Sequence, residues 1–327
     1  MTPAAVLAGI GSWLPPQLVT NEQLEARLDT TDAWIRSRTG VRRRYIAPEG
    51  MATSDLAVGA GARALKSSGE AHVDTVIVAT TTPDRTCPGT APTVAAKLGL
   101  GHAAAYDISA VCTGFLYALA SAAGLIASGV SRRALVIGAE TFSRIVDPTD
   151  RTTSVIFGDG AGAVVLRGGH PDEPGALGPC VLGSDGEGRD LITVPPPGPT
   201  SAAGDEGSYF TMQGKRVFWL AVQRMGECAQ NVLGQAGWDT ADVDHLVSHQ
   251  ANQRITLRLA DEIGIPQERG VSNIADVGNT AGASIPLALD QAHSKGTFTT
   301  GDRLLLTAFG GGLTWGATVL TWPDLPR

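Results

Sequence analysis

The stretch Asp107-Ile-Ser-Ala-Val-Cys112-Thr-Gly-Phe-Leu-Tyr-Ala-Leu-Ala-Ser-Ala-Ala-Gly124 decides how the rest of the chain reads. A short β-type run, residues 104–108, stops. Small residues follow, and an Ala/Leu-rich helix begins at about Cys112. A cysteine at such a junction faces unpaired backbone N–H groups and the positive end of a helix dipole. Both favour the thiolate, which is the nucleophile. Taken alone, the same cysteine also fits a small inert core residue, because free cysteine is among the most buried residue types.

The chain has 327 residues, enough for two domains. Hydrophobic residues make up 43% and charged residues 17%, a globular balance with ample core material. A net charge of −7 argues against a general nucleic-acid surface. The four cysteines (Cys87, Cys112, Cys180, Cys228) form neither a C-x-x-C pair nor a metal-ligand spacing. They do not read as a disulfide framework, so a reducing cytosol is expected, with no metal and no resident cofactor. The first 16 residues lack a basic segment and are broken by Pro15-Pro16, unlike a signal peptide. No run of 18 apolar residues suggests a membrane span.

Strand patterns at 5–10, 73–82, 104–108 and 134–140 alternate with helical patterns at 54–66, 90–98 and from 112 onward. That alternation predicts an α/β layered fold. Asn21 is expected to cap an early helix. Val41-Arg-Arg-Arg44 reads either as a solvated face or as a phosphate or acidic-partner site. Gly158-Asp-Gly-Ala-Gly-Ala163 matches G-x-G-x-x-A. A dinucleotide site is rejected there, because that fingerprint must open a helix and here a strand continues. Residues 191–208 contain Pro195-Pro-Pro-Gly-Pro and read as a surface excursion. Helices are expected over 212–233 and 252–263, and a strand ending at His249.

The two halves rhyme. Val73-Asp-Thr-Val-Ile-Val parallels Val243-Asp-His-Leu-Val, and the Cys112 helix parallels the helix after Asn279-Thr-Ala-Gly. Phe157-Gly-Asp-Gly-Ala-Gly-Ala-Val-Val-Leu parallels Phe309-Gly-Gly-Gly-Leu-Thr-Trp-Gly-Ala-Thr-Val-Leu. A half spanning 1–170 would carry the cysteine, and a half spanning 171–327 would carry His249 and Asn279. Ligand sites in α/β sheets lie off the carboxyl ends of strands. The duplication therefore gathers Cys112, His249, Asn279 and the Gly310-Gly311-Gly312 turn at one pseudo-two-fold axis. A Cys, a His and an Asn allow papain-like hydrolysis or carbon–carbon bond formation through an acyl-cysteine. The C-G-[SA]-C-[WY] protease signature is absent.

Val111-Cys-Thr-Gly-Phe, Ser248-His-Gln-Ala-Asn-Gln-Arg, Gly278-Asn-Thr-Ala and Ala308-Phe-Gly-Gly-Gly resemble the β-ketoacyl-acyl-carrier-protein synthase III family of the thiolase superfamily. So do Thr31-Asp-Ala-Trp-Ile-Arg-Ser-Arg-Thr-Gly, Asp147-Pro-Thr-Asp-Arg and Phe157-Gly-Asp-Gly-Ala-Gly-Ala, so the resemblance runs through essentially the whole chain. It implies a thiolase-like five-layered αβαβα fold built from two duplicated halves, in a homodimer without nucleic-acid or membrane partners. It implies decarboxylative condensation of an acyl-CoA primer with malonyl-acyl-carrier-protein. The alternatives are an acyltransferase of the same fold that does not decarboxylate, and an inactive partner subunit.

The resemblance also implies residue roles. Cys112 would be the nucleophile, with His249 and Asn279 stabilising the enolate. The N–H groups of Cys112 and Gly311 would form the oxyanion hole. Trp34 and Arg151 would sandwich the adenine of CoA, with Thr30 and Arg38 as polar contacts. Gly214, Ala251, Asn252 and Phe309 would line the pantetheine tunnel. Arg254 would meet the carrier protein, aided by Lys215 and Arg216, since Trp219 replaces a lysine usual in the family. Cys87, Phe142 and Met212 would shape the acyl pocket. Cys87 stands where acetyl-specific members use a bulky aromatic from the partner subunit, which predicts a primer larger than acetyl.

Overall fold

Apolar strands and amphipathic helices assemble into two sheets with a shared helical layer between them. A computed structural model describes residues 2–195 and 209–327; most of the proline-rich excursion read at 191–208 therefore lies outside the described residues. The chain opens with β1 (Ala4–Trp13), β2 (Gln17–Thr20), α1 (Asn21–Glu25), α2 (Asp32–Thr39) and β3 (Arg43–Ile46). Then come α3 (Thr53–Ser68), β4 (Thr75–Ala79), α4 (Thr90–Lys97), β5 (Ala104–Ile108), α5 (Gly114–Ala127), β6 (Arg133–Glu140) and β7 (Gly160–Gly169). After β7 follow β8 (Leu177–Ser184), β9 (Ile192–Thr193), β10 (Thr211–Met212), α6 (Gly214–Ala236), β11 (His245–Ser248) and α7 (Gln253–Ile263). The chain closes with α8 (Ile274–Val277), α9 (Ser284–Ser294), β12 (Arg303–Gly310) and β13 (Thr314–Thr321).

The first sheet has the order β1-β7-β6-β4-β5, and the second β11-β12-β13-β8. In the first, β4 runs parallel to both β5 and β6, while β7 is antiparallel to β6 and β1. In the second, β11 is parallel to β12, and β13 is antiparallel to β12 and β8. Matching β1, β7, β6 and β4 to β8, β13, β12 and β11 superposes one topology on the other. An isolated parallel bridge, Leu246 to Gly270, stands where a counterpart of β5 would lie.

Every residue of β4 is buried, as a strand covered on both faces requires. α3 and α4 cover the outer face of the first sheet, and α6, with α7 beside it, covers the second. α5 and α9 lie between the sheets. Their Phe115, Leu119, Ile285 and Leu289 share one apolar cluster with Ile77 and Leu306 of the two sheets. Helix, sheet, helix pair, sheet and helix make the αβαβα order.

Two details differ from the sequence reading. Thr20, not Asn21, caps α1: its Oγ1 accepts from Gln23 N and its N–H donates to Gln23 Oε1. Asn21 is buried and donates to Asp32 and to the carbonyl of Val41. In the third sequence rhyme, β7 and β13 do correspond. Phe157 and Phe309 do not, because Phe309 lies inside β12 while Phe157 precedes β7.

The duplication reaches single residues. Short 3₁₀ turns, Val111–Thr113 and Ala281–Ala283, precede α5 and α9. Their first residues have φ of 49° and 45°, and they are the only non-glycine residues with positive φ among the described residues. Such backbone costs on the order of 1–3 kcal/mol and persists where surrounding packing imposes it. The turns touch: a Cβ on Gly282 would sit 3.1 Å from the carbonyl oxygen of Val111.

Candidate active site

The twin turns put Cys112 and Asn279 on either side of the pseudo-two-fold axis, and the end of β11 adds His249. All three line one cavity of about 40 Å³, whose other walls include Phe142, Met212, Ala251 and Phe309. Gly310 closes it against the cysteine. A Cβ there would lie 2.9 Å from Cys112 N, so a side chain would displace the turn. Gly311 follows, buried beside Ile192 and Val111.

The expectation that the helix start would favour the Cys112 thiolate does not hold in the free protein. Burial pushes the thiol well above its ordinary range, and the charge of nearby Glu140 pushes the same way. The cysteine belongs to a 3₁₀ turn before α5, and desolvation outweighs any helix-end field there. Burial acts on His249 in the opposite chemical sense, lowering its pKa to about 3, so the imidazole is neutral at physiological pH.

His249 Nδ1 lies 2.6 Å from Ser284 Oγ. Asn279 is held by backbone pairing, its N–H donating to Ile156 O at 2.9 Å and its carbonyl accepting from Gly158 N at 3.0 Å. Its Oδ1 accepts from Ala281 N at 2.9 Å, which leaves Nδ2 as the free end of the amide. Gly278, at φ 70°, permits this approach; a Cβ would meet Ile156 O at 2.8 Å.

On the acyl side, Phe142 stacks on Phe157 at 4.4 Å, and Phe210 meets both edge-on at 5.2 and 5.1 Å. Phe142 and Phe210 also line a larger cleft of about 890 Å³ that includes residues 83–86. Met212 reaches the cavity. Cys87 does not: it is exposed and follows the cleft-lining segment.

Of the residues expected to meet CoA, Trp34 and Arg151 are neighbours, with the guanidinium carbon 5.4 Å from the indole centroid. That spacing is a direct contact; an adenine between them would need roughly 7 Å, two stacking distances. Arg151 also donates to Asp29 O at 2.6 Å. Thr30 Oγ1 is buried without a partner among the described residues. Asn252 caps α7 and donates to Arg38 O at 3.0 Å, which joins α7 to α2. Gly214, Lys215 and Arg216 are exposed in the first turn of α6. Arg254 is exposed one residue into α7, its guanidinium 6.0 Å from the Phe218 ring of α6. The Arg42–Arg44 cluster is divided. Arg42 and Arg43 pair with Asp276 at 3.0 and 3.1 Å, whereas Arg44 is buried and donates to Val155 O.

Four residues around the cavity escaped the sequence reading: Glu140, Phe157 as a ring, Phe210 and Ser284. Glu140 carried a signal, since a carboxylate ends an otherwise apolar strand. Phe210 carried none, because it follows a Pro/Gly-rich segment without periodicity. Among the described residues no group of His, Cys, Asp or Glu is arranged to hold a metal ion, and no helix is long and apolar enough to cross a membrane.

One repeat thus supplies the cysteine and the other the histidine and the asparagine, the arrangement that the resemblance to condensing enzymes of the thiolase superfamily implied. Residues 106–186 match the family described as 3-oxoacyl-[acyl-carrier-protein (ACP)] synthase III, and residues 233–322 match its C-terminal part. The chain belongs to this family of β-ketoacyl-acyl-carrier-protein synthases III and is a condensing acyltransferase. It is 70% identical over 330 residues to beta-ketoacyl-[acyl-carrier-protein] synthase III 3 of Streptomyces coelicolor, covering 99% of this chain and 98% of that one. The crystal structure of 3-oxoacyl-(acyl carrier protein) synthase III from Pseudomonas aeruginosa PAO1 superposes with a TM-score of 0.95 at 50% identity, covering 99% and 100% of the two chains. The priming β-ketosynthase of the R1128 polyketide pathway gives 0.93 at 36% identity, covering 99% and 98%.

Proposed function

We propose that the chain joins a short or branched acyl-CoA primer to malonyl-acyl-carrier-protein by decarboxylative condensation, initiating fatty-acid or polyketide synthesis. The observation that carries this reading is the meeting of Cys112, a neutral His249 and the free amide end of Asn279 in one largely apolar cavity. The Cys112 sulfur attacks the primer thioester; CoA leaves and takes up the proton that the thiol loses. The N–H groups of Cys112 and Gly311 accommodate the oxyanion. Malonyl thioester then enters, its carbon–carboxylate bond breaks, and CO2 departs. His249 and Asn279 donate to the enolate oxygen. The enolate carbon attacks the acyl group, and the Cys112 thiolate leaves and regains a proton. The apolar ring cluster keeps water from the acyl-enzyme.

The orphaned Thr30 hydroxyl supports a nucleotide site near Trp34, Arg38 and Arg151. The sandwich forms once Arg151 swings off the indole. Gly214, Ala251, Asn252 and Phe309 lead pantetheine inward, and Lys215, Arg216 and Arg254 face an acidic carrier protein. The enzyme acts as a homodimer of duplicated protomers, halves 1–170 and 171–327, in the cytosol. Cys87 of a second copy completes the acyl pocket beside Phe142 and Met212. The likeness to a polyketide-priming synthase keeps both pathways in the reading.

Mass spectrometry after incubation with a panel of acyl-CoAs tests it. One acyl group is expected on Cys112, with β-ketoacyl-carrier-protein and CO2 on adding malonyl-carrier-protein; Cys112→Ser abolishes loading. Acylation at Cys87, Cys180 or Cys228 would overturn the assignment. Acyl transfer without CO2 would favour the non-decarboxylating acyltransferase.

A further inference from the structure

We propose that Ser284 is a positioning residue that holds His249 as the tautomer protonated on Nε2, so that the imidazole offers the cavity an N–H donor and no lone pair. This rests on the reading of His249 as an enolate stabiliser and names what fixes it in that role.

The protons around the Ser284 hydroxyl decide the tautomer. Ser284 opens α9 and is buried, and His249 is buried at the end of β11. Two contacts reach the Ser284 hydroxyl: His249 Nδ1 at 2.6 Å and the backbone N–H of Gln250 at a longer 3.4 Å. The backbone N–H can only donate. If Nδ1 also carried a proton, both neighbours would donate to Oγ, and the hydroxyl proton would have no acceptor among the described residues. A buried polar proton left unpaired forfeits its hydration with nothing in return. With Nδ1 bare the chain closes, Gln250 N–H to Ser284 Oγ and Ser284 O–H to Nδ1. A neutral ring then carries its proton on Nε2, which makes no hydrogen bond among the described residues.

Gln250 is anchored for this task. Its Nε2 donates to the carbonyls of Ser248 and Val271 at 2.8 and 3.2 Å. Its Oε1 accepts from Ser272 Oγ and Asn273 N at 2.9 and 3.2 Å. The N–H that begins the relay therefore sits on a fixed backbone. Asn279 is oriented by the same logic, since Ala281 N–H occupies its oxygen and turns its NH2 outward. Two backbone N–H groups, one direct and one relayed through Ser284, set both polar groups as donors. A His249 fixed this way is no base toward Cys112.

The test is ¹⁵N NMR of the full-length protein labelled at histidine, with His249 assigned from the signal lost in His249→Ala. The expected spectrum has His249 protonated on Nε2 and bare on Nδ1. In Ser284→Ala the two tautomers mix, and malonyl decarboxylation falls by roughly 10- to 100-fold, less than the ~10²–10³ for losing a donor outright. Loading of Cys112 stays within about twofold of the parent. Ser284→Thr, which keeps the hydroxyl, restores the tautomer and the decarboxylation rate. An Nδ1-protonated His249 in the parent overturns the proposal even if every variant misfolds, as does an Nε2 tautomer and a decarboxylation rate unchanged in Ser284→Ala. A parent that shows the expected tautomer but releases no CO2 from malonyl-carrier-protein leaves Ser284's action standing and removes the condensation reading.

Discussion

Glu140 shows how a single charge acts on the Cys112 thiol. Burial raises its carboxyl pKa to about 7 despite hydrogen bonds from Thr82 Oγ1 at 2.8 Å and Thr81 N at 3.1 Å. It sits over Gly282 as Gly310 sits over Cys112, each at the end of the corresponding strand of its repeat. Above pH 7 Glu140 is ionised, and its charge holds the Cys112 thiol up; below pH 7 it is neutral and that effect fades. Glu140→Gln should therefore quicken alkylation of Cys112 by iodoacetamide at pH 8–9 by a factor of roughly 3 to 10. The ratio should shrink toward one by about pH 6. A ratio independent of pH would mean that the substitution only loosens the site. Cys112, His249 and Asn279 were legible in the sequence because each stands at a matched place in a repeat. Ser284 was not, because its meaning depends on a histidine 35 residues away.

At the scale of elements, strands and helices followed their apolar periods, and their ends moved where a distant partner intervened. The helix read over 212–233 begins instead at Gly214, because Thr211 and Met212 pair with Thr193 and Ile192 in a two-stranded ribbon. That ribbon, not the helix, carries Met212 to the cavity. The starts of α6 and α7 meet where Arg254 lies over Phe218, which brings the α6 start, with Lys215 and Arg216, beside the α7 start with Arg254. Arg254→Glu should raise KM for malonyl-carrier-protein several-fold and flatten its salt dependence, because such attraction is screened over roughly 10 Å at 0.1 M salt. Loading from acyl-CoA should change less. An unchanged carrier-protein KM would move docking away from these two helix starts.

For the whole molecule, the duplication was readable because both repeats must bury the same sheet faces against one helical layer. The pocket was less readable. Phe142, Phe157 and Phe210 come from segments outside the regular strands and helices, and only the fold makes them one cluster. Cys87 lies outside the cavity of its own chain, so an effect on primer choice would require the second copy proposed above. Each buried methylene contributes about 0.8 kcal/mol, roughly fourfold in affinity. In competition among acetyl-, propionyl-, isobutyryl- and hexanoyl-CoA the parent should favour primers larger than acetyl, and Cys87→Phe should shift the ranking toward acetyl. A parent that prefers acetyl, or a ranking untouched by the substitution, would show that Cys87 does not set the depth.

In the proposed mechanism Cys112 carries the acyl group, while His249 and Asn279 serve the enolate. The direct measurement takes the two half-reactions separately in His249→Ala and Asn279→Ala: acyl-Cys112 by mass spectrometry, and CO2 released from malonyl-carrier-protein. Decarboxylation should fall on the order of 10²–10³-fold, as for loss of an oxyanion donor, with loading changed far less. Equal loss in both half-reactions would contradict the account, since His249 would then be serving Cys112 as its base.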